Sequence, residues 1–346
     1  MSDKRYLGNI ITDTPTAPAG PYQDSAASGV WSLAEAFAYN KAGLWPTAGN
    51  AAQLGFFASE LAGTTNFINK INIATTGNAT DVGDLTVARR LGGGGSSSTR
   101  GIFAGGYAGS TGTRPNTIDY ITMASAGNAS DFGDLTYGLT YIGGGVSTET
   151  RALFAQGTSD GGSTGTNQIQ YVTIATTGNA SNFGDRTFSG VGPMGVSSTT
   201  RGVFGGGNSA AGFKNVIDYV TIATTGNATD FGDITVARQA GGGASSSTRG
   251  IFAGGFSSGA DVIEYITISS TGNAIDFGDL TVARYACGGV SSKIRAVFGN
   301  GTNALYNGMD YVTISTTGNA ATFGELSSGN AWGSLHSCST AHGGLA

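Results

Sequence analysis

A phrase of about twenty residues is written repeatedly along this chain, and that repetition limits the fold more than any other feature. Ile71–Arg90 reads INIATTGNATDVGDLTVARR, and it returns as YVTIATTGNASNFGDRT, YVTIATTGNATDFGDITVAR and YITISSTGNAIDFGDLTVAR. Its Gly-Asn pair stands at Gly77-Asn78, Gly127-Asn128, Gly178-Asn179, Gly226-Asn227, Gly272-Asn273 and Gly318-Asn319, in steps of 50, 51, 48, 46 and 46 residues. A second phrase, STRGIFAGG in its first copy, recurs around Arg100, Arg151, Arg201, Arg249 and Arg295.

Each unit divides into four short strands. Gly92–Thr99 is small and flat, Arg100–Gly106 is apolar and ends in paired glycines, and Ile118–Ser125 alternates as a half-buried strand should. A fourth strand is expected near Asp131–Tyr137, with Gly-Asn forming a tight turn before it. Four strands per unit of roughly 40–50 residues is the pattern of a β-propeller. The fold class is therefore all-β, a six-bladed propeller over residues 52–346, with an N-terminal arm over residues 1–51. The ends fit ring closure. Gly55-Phe56-Phe57 matches a second strand with no first strand before it, and Ser334–Gly344 matches a first strand with no second after it. The C-terminal strand is expected to complete the first blade and leave no long unpaired edge.

The units resemble the kelch repeat family. Kelch units carry an Arg, a small-residue strand, an apolar strand ending in Gly-Gly, and a Tyr preceded by an acidic residue. Arg89, Gly105-Gly106 and Asp119-Tyr120 match, as do Arg238, Gly254-Gly255 and Glu264-Tyr265. The chain departs from that pattern where Val82, Phe132, Phe183, Phe231, Phe277 and Phe323 replace the usual Trp. The Arg is missing from three units, where Leu139, Gly190 and Gly329 stand.

Residues 1–51 do not repeat. Pro15, Pro18 and Pro21 suit an extended lead-in, and Ser32-Leu33-Ala34-Glu35 reads as a capping box opening a short helix that stops by Pro46. Trp31, Leu33, Phe37, Leu44 and Trp45 are too apolar for a free tail and mark an assembly surface. The segment YLGNIITDTPTAPAGPYQDSAASGVWSLAEAFAYNKAGLWP is similar to the N-terminal stretch of structural proteins of tailed, especially marine, bacteriophages, and TTGNATDFGDLTVAR-type repeats also occur in phage virion proteins. The resemblance implies a virion component whose partners are other virion proteins, held through the arm, with self-association as a further partner expectation.

Composition narrows the function. Only 11% of residues are charged, the net charge is −5, and no Lys/Arg cluster offers a counterion-displacing face, so no nucleic-acid partner is expected. No run of about 18 apolar residues would insert into a membrane, and the opening MSDKRYLGN has no apolar region behind a basic start, so no secretory signal is expected. Cys287 and Cys338 read as free thiols, with a bridge as the alternative. His336 and His342, six apart, would share a face of one strand but lack a ligand constellation, and the GNATDFGD oxygens match no calcium loop, so neither metal nor cofactor is expected. Asn78, Asn128, Asn179 and Asn227 fit the glycosylation pattern but read as turn residues. The repeated STR arginines read as scaffold, bonding carbonyls of neighbouring loops.

Specificity belongs where the units differ. The variable stretches 107–117, 158–167, 208–215, 256–261 and 302–308 share one propeller face with the connections carrying Tyr137, Tyr141, Phe188 and Tyr285. Tyr107, Phe213, Phe256 and Tyr306 are candidates to stack on sugar rings, with Arg114 and Asp160 as polar candidates beside them. The leading reading is a non-enzymatic virion protein that displays a glycan- or receptor-binding propeller as a tail fibre tip or decoration. The alternatives are a free or secreted lectin-like propeller and a glycan-active enzyme, the last disfavoured because no carboxylate pair suited to acid/base work is visible.

Overall fold

The computed structural model describes residues 32, 34–35, 53–61, 65–160, 165–257, 260–299, 301, 307–327 and 336–345. The chain separates into two units, Met1–Gln53 and Leu54–Ala346. In the first, the capping box is formed: Glu35 N–H donates to Ser32 Oγ at 3.3 Å, and the Glu35 carboxylate accepts from Ser32 N–H at 3.0 Å. Ala34 and Glu35 are helical. Trp31, Leu33, Phe37, Leu44 and Trp45 lie outside the described residues.

The second unit is a six-bladed β-propeller. Blade 1 holds β1 (Leu54–Leu61), β2 (Thr65–Asn72) and β3 (Thr80–Asp81), and blade 2 holds β4 (Gly93–Ser96), β5 (Arg100–Ala104), β6 (Thr117–Thr122) and β7 (Ser130–Asp134). Blade 3 is β8 (Gly143–Ser147), β9 (Arg151–Ala155), β10 (Gln168–Thr173) and β11 (Ser181–Asp185). Blade 4 is β12 (Met194–Ser197), β13 (Arg201–Ser209), β14 (Gly212–Thr221) and β15 (Thr229–Asp233). Blade 5 is β16 (Gly242–Ser245), β17 (Arg249–Ala253), β18 (Val262–Thr267) and β19 (Ile275–Asp279). Blade 6 is β20 (Gly288–Ser291), β21 (Arg295–Gly299), β22 (Gly308–Thr313) and β23 (Ala321–Glu325). Each is an antiparallel four-stranded sheet, and β24 (Ser337–Ser339) pairs with β1 as the inner strand of blade 1. The expected clasp is thus present.

The second strand of every blade is buried on both faces. Phe57, Phe103, Phe154, Phe204, Phe252 and Phe298 occupy equivalent positions and are at most 2% exposed. Six apolar clusters fill the six seams; one joins Ile102 and Phe132 of blade 2 to Phe154 and Val172 of blade 3. Truncating one of these phenylalanines to Ala costs about 3–5 kcal/mol. The outer strands of blades 2 to 6 carry one extra residue: in blade 2, Ile118 pairs with Gly133 and Asp119 with Asp131, which leaves Phe132 as a bulge. The bulge turns Phe132 inward, where it meets Tyr120 edge-on with centroids 5.9 Å apart. Arg100 caps that ring at 4.5 Å and donates from Nη1 to Ile174 O of the next blade at 2.8 Å. The other four STR arginines repeat both contacts, so the scaffold reading of this phrase holds.

Inner strands approach too closely for side chains at some positions. A Cβ on Gly94 would run into the Ser337 backbone of the clasp. Their last residues form a closed ring of serines. Ser96 N–H donates to Ser147 Oγ at 2.9 Å, Ser147 to Ser197 at 3.5 Å, and Ser197 to Ser245 at 3.3 Å. Ser245 donates to Ser291 at 3.1 Å, Ser291 to Ser339 at 3.3 Å, and Ser339 back to Ser96 at 3.3 Å. The sixth serine comes from the clasp, so the ring exists only when the chain end is docked.

The Gly-Asn pairs do something other than the expected local turn. The tight turn lies earlier, where Thr75 N–H donates to Asn72 O at 3.2 Å. The asparagines reach across to the preceding blade instead. Asn78 Oδ1 accepts from Glu325 N–H at 3.1 Å, Asn128 from Asp84 at 3.1 Å, and Asn179 from Asp134 at 3.0 Å. Asn227, Asn273 and Asn319 do the same for Asp185, Asp233 and Asp279. The glycine of each FGD or FGE lies against the next Gly-Asn: a Cβ on Gly133 would stand 2.5 Å from Gly178 O. The repeated phrase is a blade-to-blade latch.

Candidate functional site

The propeller channel has two different ends. At the end where inner strands turn into second strands, residues after the clasp cross the opening. Gly343 N–H donates to Ser245 O at 2.9 Å, and Gly344 lies against Ser147 O. His342 inserts into the serine ring with Nε2 at 3.3 Å from Ser96 O and 3.2 Å from Ser147 Oγ. Its Nδ1 accepts from Gly344 N–H at 3.1 Å, so the neutral ring carries its proton on Nε2. Burial lowers its pKa to about 4, against the pull of the Ser96 carbonyl. His336 is buried beside Phe103 and donates from Nε2 to Gly105 O at 3.1 Å; burial, with the Arg89 charge, lowers its pKa to about 3. The two histidines do not share a strand face as expected, because the strand ends at Ser339 and His342 lies in the turn beyond it. Among the described residues no group of three His, Cys, Asp or Glu could hold a metal. Cys287 and Cys338 are free, and burial pushes both thiols up.

The opposite end holds a cup of about 350 Å³. Its frame among the described residues is an arc of backbone. Leu91, Tyr141, Ala240 and Ala286 hold left-handed φ angles of 60°, 56°, 55° and 54°, and Gly192 holds 66°. Each follows the same place in its blade, just before the inner strand. Tyr141 N–H donates to Leu91 O at 2.7 Å, Gly192 to Tyr141 O at 2.8 Å, Ala240 to Gly192 O at 2.7 Å and Ala286 to Ala240 O at 2.5 Å. A left-handed non-glycine residue costs roughly 1–2 kcal/mol, and these four bonds offset that cost while fixing the rim. The four non-glycine members all line the cup.

Side chains of the preceding residues complete it. Phe256 is 47% exposed and meets Tyr285 at 4.9 Å and Phe213 at 5.8 Å between centroids, forming an aromatic file that ends on the cup wall. Arg90 brings the one charge among the described lining residues. Its guanidinium stacks on Tyr107 at 5.0 Å, and Arg114 covers the same ring at 5.6 Å. Burial raises the Tyr141 pKa, with Arg90 pulling it down and Tyr285 pushing it up. Gln239 lines the wall, and its buried Oε1 has no hydrogen-bond partner among the described residues.

Of the residues singled out from sequence, the structure brings Phe256 into the cup, with Phe213 packed behind it and Tyr107 behind Arg90. Arg114 lies a layer further out. Asp160 is exposed and occupied locally, accepting from Thr158 Oγ1 and donating its N–H to the same hydroxyl at 3.3 Å. Tyr306 lies outside the described residues. Sequence reasoning missed Arg90 and Gln239. The signal was there: Arg90-Leu91, Gln239-Ala240 and Tyr285-Ala286 are variable pairs set one residue before the glycine that opens an inner strand.

Among the described residues, four buried ion pairs lock seams beneath the cup. Arg89 meets Asp119 at 2.9 Å, Arg186 meets Asp218 at 2.8 Å, Arg238 meets Glu264 at 2.5 Å and Arg284 meets Asp310 at 2.8 Å. Arg186 corrects the sequence alignment. It sits four positions ahead of Gly190, yet it fills the place of the Arg that unit lacks. In the two seams that have no arginine, the acid is also absent: Gln170 accepts from Thr136 N–H at 2.8 Å, and Asn69 from Ser327 N–H at 3.1 Å. A buried carboxylate without a cation would cost several kcal/mol, and the chain carries none at these positions.

Fold and cup together define a six-bladed β-propeller with one channel end sealed and the other shaped as a small-molecule-sized cup. No family model matches the chain, and no curated protein matches it.

Proposed function

We propose that this protein is a non-enzymatic binding propeller of a tailed-bacteriophage virion, anchored to other virion proteins by residues 1–51 and displaying its loop face toward a host-surface glycan or receptor. The observation that carries the binding role is the cup: Phe256, Tyr285, Tyr141, Gln239 and Arg90 converge on the channel end opposite the C-terminal plug. Aromatic walls with a few convergent polar groups are what small-molecule sites are built from, in cavities of roughly 300–1,000 Å³. The arginine–acid bridges between neighbouring blades support a kelch-like kinship for the repeat. The sequence of the N-terminal segment supports the virion placement.

The test is cryo-electron microscopy of the particle that contains the chain. The expected map has residues 1–51 docked into tail or capsid and the cup facing solvent. A chain free of any particle, with its cup still binding saccharide, would replace this reading with that of a free lectin-like propeller.

A further inference from the structure

We infer that the cup takes an acetamido sugar, with Phe256 receiving the sugar ring and Gln239 accepting a hydrogen bond from the acetamido N–H. The inference deepens the proposed binding role and rests on it. The cavity of about 350 Å³ suits a small cyclic ligand rather than a folded partner. Phe256 is 47% exposed, and Tyr285 and Phe213 brace it at 4.9 and 5.8 Å between centroids. A pyranose C–H face laid on Phe256 therefore meets a ring that is already held in place.

The neutral groups of the wall set the ligand class, because Arg90 is already engaged, with its guanidinium stacked on Tyr107 at 5.0 Å. Leu91, Ala240 and Ala286 add aliphatic surface to the aromatic rings. A plain hexose would strand hydroxyls against that surface. Gln239 asks for the opposite: its Oε1 is buried with no hydrogen-bond partner among the described residues, and a bond left unmade in this way is costly. An acetamido substituent answers both demands, since it sets one N–H donor beside one methyl group. Turning the Gln239 amide toward the ligand lets Oε1 accept that N–H while the methyl lies on the aliphatic surface. Gly192 leaves room for the turn. It is the one member of the described rim arc without a side chain, and a Cβ there would stand 3.4 Å from Gln239 Oε1 and 3.3 Å from its Cβ. Four backbone bonds tie the arc, so this part of the site is formed before a ligand arrives.

The test uses the full chain, titrated by calorimetry and by NMR with methyl N-acetyl-β-glucosaminide and, as its counterpart without the acetamido group, methyl β-glucoside. The acetamido glycoside should bind about tenfold tighter or more, with about fivefold from one neutral hydrogen bond and about fourfold from one buried methyl group. Gln239→Leu should cut that preference about fivefold. Phe256→Ala should weaken both ligands, and each variant should keep the thermal midpoint of the parent. Equal affinities in the parent, a preference left intact by Gln239→Leu, an affinity left intact by Phe256→Ala, or no saturable binding of the acetamido glycoside would overturn the inference. An array of immobilised glycans separates this failure from failure of the broader reading. Retention only by glycans that lack an acetamido group sinks the cup's ligand class and leaves the binding role intact; retention by none, with the chain absent from any particle, sinks the role itself.

Discussion

Replacing Arg89 by Leu takes the cation from a seam in which Asp119 has no solvent to turn to. Both side chains are fully buried, with 2.9 Å between Nη1 and Oδ2. Asp119 would keep its bonds from Thr86 N–H at 3.0 Å and Thr86 Oγ1 at 2.6 Å, but its charge would stand uncompensated. Removing one partner of a buried pair costs about 3–5 kcal/mol. The molecule also contains the remedy. One blade further round, Leu139 and Gln170 occupy the equivalent places, and Gln170 holds the backbone N–H of Thr136 as Asp119 holds that of Thr86. Arg89→Leu with Asp119→Gln should therefore recover most of the loss and end within about 1–2 kcal/mol of the parent, since neutral replacement of a buried pair is often tolerated. Glu264 at the same position of another blade shows that the longer side chain fits. Urea unfolding followed by circular dichroism, run on both single variants and the double, measures the coupling. A double variant no more stable than the weaker single would refute the claim that the two positions are paired by charge.

Other expectations follow from the same contacts. Asn179→Ala removes the acceptor for Asp134 N–H and should cost about 1 kcal/mol, read as a lowered urea midpoint; no change would mean the latch contributes nothing net. The histidines give a pH dependence of definite sign. Their folded pKa values, about 4 for His342 and about 3 for His336, lie below the ordinary 6.5, so the unfolded chain takes up protons first. Their contribution is complete above about pH 6.5 and is lost as pH falls toward 4 and 3, by up to about 1.4 kcal/mol per pH unit for each. His342→Gln should flatten that slope, and an unchanged slope between pH 6.5 and 4.5 would exclude His342 as a source. A chain stopped before Ser337 loses the inner strand of blade 1, the sixth serine and the plug, and should lose its cooperative unfolding transition.

The repeat period, the four-strand grammar of each unit and the clasp could be read from sequence because they depend on local pattern: small residues where inner strands crowd, apolar residues where blades pack, and a first strand written at the wrong end of the chain. The scaffold role of Arg100 and its counterparts was legible for the same reason, since a feature repeated in every unit serves what every unit shares. Tertiary structure decided the rest. Asn78 finds its partner in Glu325, 247 residues away, and no local pattern separates such a latch from a turn. Arg186 looks misplaced along the chain, but a guanidinium on a long side chain reaches Asp218 from a different backbone position. Arg90 and Gln239 come from blades on different sides of the ring and line one cup only because five left-handed residues draw the chain to one axis. Sequence dictates which strands form, because strand formation answers to neighbours along the chain; ring closure dictates which side chains share the cup and how the channel is sealed, because only closure brings the first and last blades into contact.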